Sequence, residues 1–154
     1  MEAAWSELER DDPELAAFGR ERFDGNVVFH ATVTRDGSPR LHPVSPWFAS
    51  GFLVVGFRAH SPKVEEAARD GRYAMHSAIG ADDHEGAAGE FLVRGWMERL
   101  ADDHPAAVQR PYEASYAIAA YACSIAEAVA TTYDGDVPVY RRWRTPGGGR
   151  PAER

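Results

Sequence analysis

The sequence predicts a mainly β protein, an antiparallel barrel of about six or seven strands carrying short helices. Three observations predict it. Short runs rich in β-branched and aromatic residues recur along the chain, NVVFHATVT and FLVVGF among them. Turn signals separate these runs every 8–15 residues, with Asp36-Gly37 and Ser50-Gly51 the clearest. No GxGxxG motif follows a strand, which argues against a doubly wound dinucleotide-binding sheet.

The elements follow in order. Residues 5–22 read as helix, because Leu8, Leu15, Phe18 and Arg22 fall at helical spacing. Pro13 suits a first helical turn and Asp12 its N-cap, so the helix restarts there. NVVFHATVT (26–34) is a strand, and Asp36-Gly37 turns it into a hairpin with PRLHPVSPWF. That partner carries Pro39, Pro43 and Pro46, which cannot donate to a ladder. FLVVGF (52–57) is a continuous apolar strand, expected to be buried on both faces. Ser61, Pro62 and Glu65-Glu66 open a helix that runs to Gly71. RYAMHSAI (72–79) is a strand, ADDHEGAAG a polar loop, and GEFLVRGWMERL (89–100) a long strand. Pro105 begins a short helix; residues 116–133 fit strands with bends, and VPVYRRWR (137–144) a last strand. Residues 1–144 are expected to form one domain, and 145–154 a disordered tail.

Composition narrows the function classes. The chain has 154 residues, enough for one substantial core, and its 44% hydrophobic and 27% charged content is ordinary globular usage. Its net charge of −7, from 17 basic and 24 acidic residues, argues against nonspecific binding to nucleic acid or anionic membrane. Cys123 is the one cysteine, so no internal disulfide forms; flanked by Ala122 and Ser124 in an apolar run, it reads as a buried thiol. The start MEAAWSELERDD has no apolar signal region, and no apolar run approaches the ~20 residues of a membrane span. A cytoplasmic protein is therefore expected.

Two stretches carry candidate chemistry. Arg40 and His42 share a strand face and Ser45 lies on the other. The prolines around them make an edge or a bulge, leaving backbone groups free either for solvent or for a flat polar heterocycle. Ser61-Pro62-Lys63 opens a helix straight after a buried strand, and the free N–H groups of a helix start favour phosphate. Lys63 adds a cation there and Ser61 a hydroxyl, although a Ser cap beside a Lys is also common on ordinary helices.

The remaining polar residues read as structural. The six histidines make neither an HExxH motif nor a pair with cysteine, so no metal site is expected. His76 reads as packed or hydrogen-bonded, His84 and His104 as solvated, and Asp82-Asp83 and Asp102-Asp103 as solvation and capping. Tyr140-Arg141-Arg142-Trp143-Arg144 is a basic strand with aromatics, without the wider stacking platform of a nucleic-acid site.

In their order, VVFHATVTRDGSPRLHPVSPWF, FLVVGF, HSPKVEEAARDGRYAMHS and GEFLVRGWMERL resemble the pyridoxamine 5′-phosphate oxidase-like, FMN-binding split-barrel family and its flavin/deazaflavin oxidoreductase branch. The similarity covers roughly residues 8–144, with DGSPRLHPVS and the SPK helix start its most telling parts. The resemblance implies a split β-barrel and a homodimer with cofactor sites at the subunit interface. It implies that Arg40, His42, Pro43, Val44 and Ser45 line the isoalloxazine and ribityl region, and that Ser61 and Lys63 hold the FMN phosphate. His76 and Ser77 would lie close to the same site, and Trp143 and Arg144 would reach it from the other subunit.

The implied function is an FMN-binding oxidoreductase acting on a small organic substrate, in which the flavin carries the hydride and no catalytic side chain is assigned. The chain lacks the substrate-binding C-terminal segment of authentic pyridoxamine phosphate oxidases beyond a partial RRWR, so that specific reaction is not implied. The alternatives are a reductase using the deazaflavin coenzyme F-420 on the same barrel, or a non-catalytic flavin or haem carrier. A haem would need an axial ligand, which His30, His60 or His76 would supply.

Overall fold

The structure is a computed structural model and describes residues 4–79 and 88–146. The described chain runs α1 (Ala4–Asp11), α2 (Pro13–Phe23), β1 (Val28–Val33), β2 (Pro39–Val44), β3 (Trp47–Ala49) and β4 (Phe52–Arg58). It continues through α3 (Pro62–Arg69), β5 (Arg72–Ser77), β6 (Glu90–Arg99), α4 (Pro105–Val108), β7 (Ile118–Asp134) and β8 (Val137–Arg144). Most of the expected loop 81–89, including His84 and Asp82-Asp83, lies outside the described residues, as does the tail beyond Pro146.

Every strand pairing is antiparallel, and one curled sheet runs in the order β2-β1-β5-β6-β7-β4-β3, with β8 also on β7. This is the split-barrel arrangement. β7 makes the split. Its first residues pair with β4 (Ile118 opposite Arg58, Cys123 opposite Leu53), and its later ones with β8 (Glu127 opposite Arg144). Residues 116–133, expected as strands with bends, are largely this single strand of 17 residues. The irregularity falls on its partner, where the register slips between Arg94 and Gly95. A side chain at Gly95 would run into the Ser124 carbonyl, so only glycine fits the bulge.

The proline-rich stretch is not one strand but two. β2 pairs only with β1 and β3 only with β4, so both are free edges of the sheet, as is β8, which pairs only with β7. Ser45-Pro46 carries the chain from the β2 edge to the β3 edge. Pro39 and Pro43 sit on an edge strand with a single partner, where a missing N–H need not cost a ladder bond. With this split the described strands number eight, against the six or seven the sequence indicates.

The core forms inside the curl. Leu53, Val55, Phe91, Val93, Met75 and Ile125 turn inward, and α1 and α2 close one end with Trp5, Leu8, Leu15 and Phe23. Each such side chain contributes roughly 1.5–3 kcal/mol by leaving water. A smaller cluster of Trp47, Val54 and Leu100 lies under α4, with the Trp47 indole N–H donating to the Ala106 carbonyl at 2.8 Å. The alanines of β7, Ala119 to Ala130, leave room for the larger residues facing them.

The helix starts follow their caps. Asp12 Oδ1 accepts from the Leu15 N–H at 3.1 Å, with Pro13 at the first position of α2. Ser61 Oγ accepts from the Lys63 N–H at 3.3 Å at the start of α3. His104, expected to be solvated, instead caps α4: its Nδ1 accepts from the Ala106 N–H at 3.1 Å, and its ring stands edge-on to Phe52. Asp102, expected to solvate or cap, pairs with Arg99. Cys123 is buried as expected. Among the described residues no helix is long and apolar enough to cross a membrane.

Candidate functional site

A cavity of about 490 Å³ opens between the end of β2, β4 and the segment that leads into β7. Three pieces of chain build it. Pro43, Val44 and Ser45, at the end of β2 and the crossing that follows, form one wall. Gly56, Phe57 and Arg58 from β4 form the base. Tyr112, Tyr116 and Ile118, leading into β7, form the facing wall.

Its basic end comes from the β4–α3 junction. Arg58 ends the strand, the Ser61 N–H donates to the Arg58 carbonyl at 2.8 Å, and Lys63 stands in the first turn of α3. The Arg58 guanidinium lies 4.1 Å from the centre of the Tyr116 ring, and Lys63 Nζ lies 5.8 Å from that of Phe57. Among the described residues neither cation has a carboxylate within ion-pair distance. Two unpaired cations, a hydroxyl and a helix start meet at one end of an otherwise apolar and aromatic cavity, and that chemistry suits a phosphate group.

The base needs a glycine. A Cβ at Gly56 would come within 2.8 Å of Ile118, 3.1 Å of the Tyr112 hydroxyl and 3.2 Å of the Trp47 ring. Its absence keeps the cavity open between the sheet and the tyrosines.

Behind Val44 and Phe57 the barrel interior holds a histidine pair. His30 Nδ1 and His42 Nε2 are 3.0 Å apart, the hairpin register setting the two residues opposite each other. His30 is fully buried, parallel to Tyr73 at 5.7 Å and against Phe57. Its Nε2 and His42 Nδ1 are buried without a hydrogen-bond partner. Burial, then the neighbouring His42 and Lys63, pushes His30 down to about 3. Burial, then Lys63, pushes His42 down to about 4, against the opposing pull of Glu66. Both rings are therefore neutral at neutral pH, sharing one N–H between them.

The structure brings Pro43, Val44, Ser45, Ser61 and Lys63 together around this cavity. The other residues singled out in the sequence lie elsewhere in the single chain. Arg40 donates from Nε to Glu66 at 2.7 Å on the far side of α3, and His42 turns into the barrel. His76 stands on the outer face with Nε2 3.5 Å from Glu90, and the buried Ser77 hydroxyl accepts from the Phe91 N–H at 2.9 Å. The Trp143 indole donates to Asp11, and Arg144 to Glu127. Sequence reasoning passed over Arg58, Gly56, Tyr112 and Tyr116. For Arg58 a signal existed: it ends the buried strand three residues before Ser61. The tyrosines reach the site only through the β4–β7 pairing, which no local pattern displays.

No protein-family model and no curated protein sequence matches the chain. Solved structures do resemble it. A haem-binding protein from Mycobacterium smegmatis superposes with a TM-score of 0.63 at 18% identity over 83% of this chain, and the match spans 56% of that protein's length. An F420 reductase superposes with a TM-score of 0.55 at 15% identity, over 71% of this chain and 94% of the other. A protein of the pyridoxinephosphate oxidase family from Clostridium acetobutylicum, related to general stress protein 26, gives 0.54 at 11% identity over 88% and 94%. These likenesses establish the split-barrel fold of pyridoxamine phosphate oxidase-like proteins; at such identities they establish nothing finer.

Proposed function

We propose that the chain binds the flavin FMN in the cavity between Pro43–Ser45 and Tyr112–Ile118, and acts as a flavin-dependent oxidoreductase on a small organic substrate. The observation that carries this reading is the unpaired basic end, Arg58, Ser61 and Lys63, set at a helix start beside a sheet edge. The cavity volume falls within the roughly 300–1,000 Å³ of ordinary cofactor sites. Arg58 and Lys63 would neutralise the phosphate charge, and the Ser61 hydroxyl and the first N–H groups of α3 would add donors. The edge backbone of Pro43–Ser45 has no strand beyond it, so its carbonyl and N–H groups are available to a heterocycle. Bound there, the flavin would supply the hydride chemistry, and the chain its orientation and exclusion of water.

The exposed Val27, Phe29 and Leu41 form an apolar outer face on the β1–β2 hairpin next to this cavity. That face supports a homodimer with the sites at the interface, as the sequence resemblance implies. The buried lone thiol of Cys123 suits a cytoplasmic protein.

One other cofactor has specific support. The similarity to an F420 reductase favours the deazaflavin coenzyme on the same basic end. Haem carriage, suggested by the Mycobacterium smegmatis protein, has no histidine ligand in this cavity: among the described residues no histidine lines it, and His30 and His42 bond each other.

The test is a fluorescence titration of the purified protein with FMN, riboflavin and the deazaflavin coenzyme. FMN should bind with saturable quenching, and riboflavin, which lacks the phosphate, at least about tenfold more weakly. Lys63→Ala and Arg58→Ala should each bring FMN down towards riboflavin while leaving the melting temperature near wild type. Equal binding of FMN and riboflavin overturns the phosphate assignment, and uptake of the deazaflavin coenzyme alone selects the second cofactor.

A further inference from the structure

Arg58 and Tyr116 meet at the basic end of the cavity through strand register, although 57 residues of chain lie between them. Arg58 of β4 pairs with Ile118 at the start of β7. One step further the Ala59 N–H donates to the Ala117 carbonyl at 2.9 Å, so the chain before β7 still runs beside β4. Tyr116, two residues before Ile118, is then the diagonal neighbour of Arg58 on the same face. The guanidinium carbon lies over the Tyr116 ring, 4.1 Å from its centre.

This contact holds a cation without using it up. The ring attracts the charge through its π face, so the interaction commits no N–H donor to an oxygen. Among the described residues no carboxylate lies within ion-pair distance of Arg58. An exposed arginine with neither kind of partner samples many rotamers, and the cost of ordering it falls on whatever anion binds. Lys63 needs less help, because it stands in the first turn of α3. Nor is the Tyr116 ring needed to fix its own segment, since Tyr112 already anchors that stretch edge-on against Trp47 at 5.9 Å. Tyr116 instead remains 43% exposed, with its ring in the cavity wall beside the guanidinium.

We infer that Tyr116 is a positioning residue for the cofactor phosphate: its ring orders the Arg58 guanidinium at the basic end before the ligand arrives. The inference rests on the flavin-phosphate reading above. It gives Tyr116 a share in the preference for a phosphorylated flavin over riboflavin, exerted through Arg58 and not through any contact of its own with the phosphate. The ring face carries this role, and the Tyr116 hydroxyl has no part in it.

The test is the ratio of FMN to riboflavin affinity, taken from fluorescence titrations of the wild type and of Tyr116 variants. The ratio cancels any loss of ring packing that both ligands share. Tyr116→Leu should lower it about fivefold, the effect of freeing one rotamer-rich side chain. Tyr116→Phe keeps the ring face and should keep the ratio. Added to Arg58→Ala, Tyr116→Leu should lower the ratio no further, because the cation it serves is gone. The melting temperature reports whether each variant keeps its fold. Where Tyr116→Leu lowers it, Tyr116→Met fills more of the space without a π face and carries the same test. A ratio unchanged in Tyr116→Leu, or one that falls again when that change is added to Arg58→Ala, overturns the inference and leaves the flavin site standing. Equal binding of FMN and riboflavin by the wild type overturns the phosphate reading, and this inference with it.

Discussion

Arg40 and Glu66 join a free edge of the sheet to the helix that carries Lys63, through a single ion pair at 2.7 Å. Glu66 is buried, and its second oxygen accepts from the Thr32 hydroxyl at 2.7 Å. β2 has only β1 as a strand partner, so this pair is its tie to α3. Removing the arginine leaves a buried carboxylate with one hydroxyl for company. Arg40→Ala should cost about 1–3 kcal/mol, read as a lower urea midpoint, because half of the Arg40 side chain is already solvated. The double variant with Glu66→Gln should cost less than the sum of the two single changes. Additive losses would mean that the two side chains do not act as a pair.

The histidine pair predicts a stability that falls in mild acid. In the unfolded chain both rings take up protons near pH 6.5, whereas in the folded chain His42 does so at about 4 and His30 at about 3. Between these limits the unfolded state binds more protons, so stability is full above pH 6.5 and declines as the pH falls towards 4 and below. Carboxylates such as Glu127, held below their usual range, add their own losses only at lower pH. Urea midpoints measured from pH 7.5 to 4.5 should therefore slope in the wild type. The slope should become shallower in His30→Leu, which fills a similar space without a titratable ring and leaves only the His42 contribution. A wild-type midpoint constant over that range would contradict the buried, neutral pair.

This pair also marks how far the sequence was legible. Asp36-Gly37 signalled the hairpin, but a two-residue turn there would set His30 opposite Pro43; the observed turn spans residues 35–37 and sets it opposite His42, so turn chemistry alone did not fix the contact. It went unread because the sequence displays each histidine as an isolated polar residue in an apolar strand. The helix caps at Asp12 and Ser61 were legible because a cap is a local event within a few residues. The break at Ser45-Pro46 was not, since alternation and turn propensity do not distinguish a bent strand from two strands on opposite edges. The basic end was half legible: Ser61 and Lys63 follow from the helix start, whereas Tyr112 and Tyr116 arrive through pairing across 60 residues of chain. Long-range pairing is what a single sequence conceals most.

Gly56 offers a direct probe of the cavity. An added methyl group meets Ile118, the Tyr112 hydroxyl and Trp47 within 2.8–3.2 Å, so at least one of them must shift. Overpacking of this kind costs roughly 1–3 kcal/mol. Gly56→Ala should lower the urea midpoint and weaken FMN uptake together, because the tyrosine wall moves into the space. Gly25→Ala, strained at a positive φ but in open surroundings, should lower stability while leaving FMN uptake near wild type. Unchanged FMN affinity in Gly56→Ala would place the cofactor away from this base.

Cys123 tests the closure of the barrel. It lies in the stretch of β7 that pairs with both β4 and β6, opposite Leu53 and Met97, and is almost wholly buried. Burial pushes its thiol well above the usual range, against a smaller lowering by the Tyr73 hydroxyl. The thiolate is the reactive form, so the native thiol should be inert on both counts. An aromatic disulfide reagent should titrate no thiol in the native protein at pH 8 and one per chain in denaturant. Below the unfolding transition the reaction rate should be limited by opening of the sheet and rise with urea as stability falls. Rapid native reaction, independent of urea, would mean that β4 and β6 do not seal this part of β7.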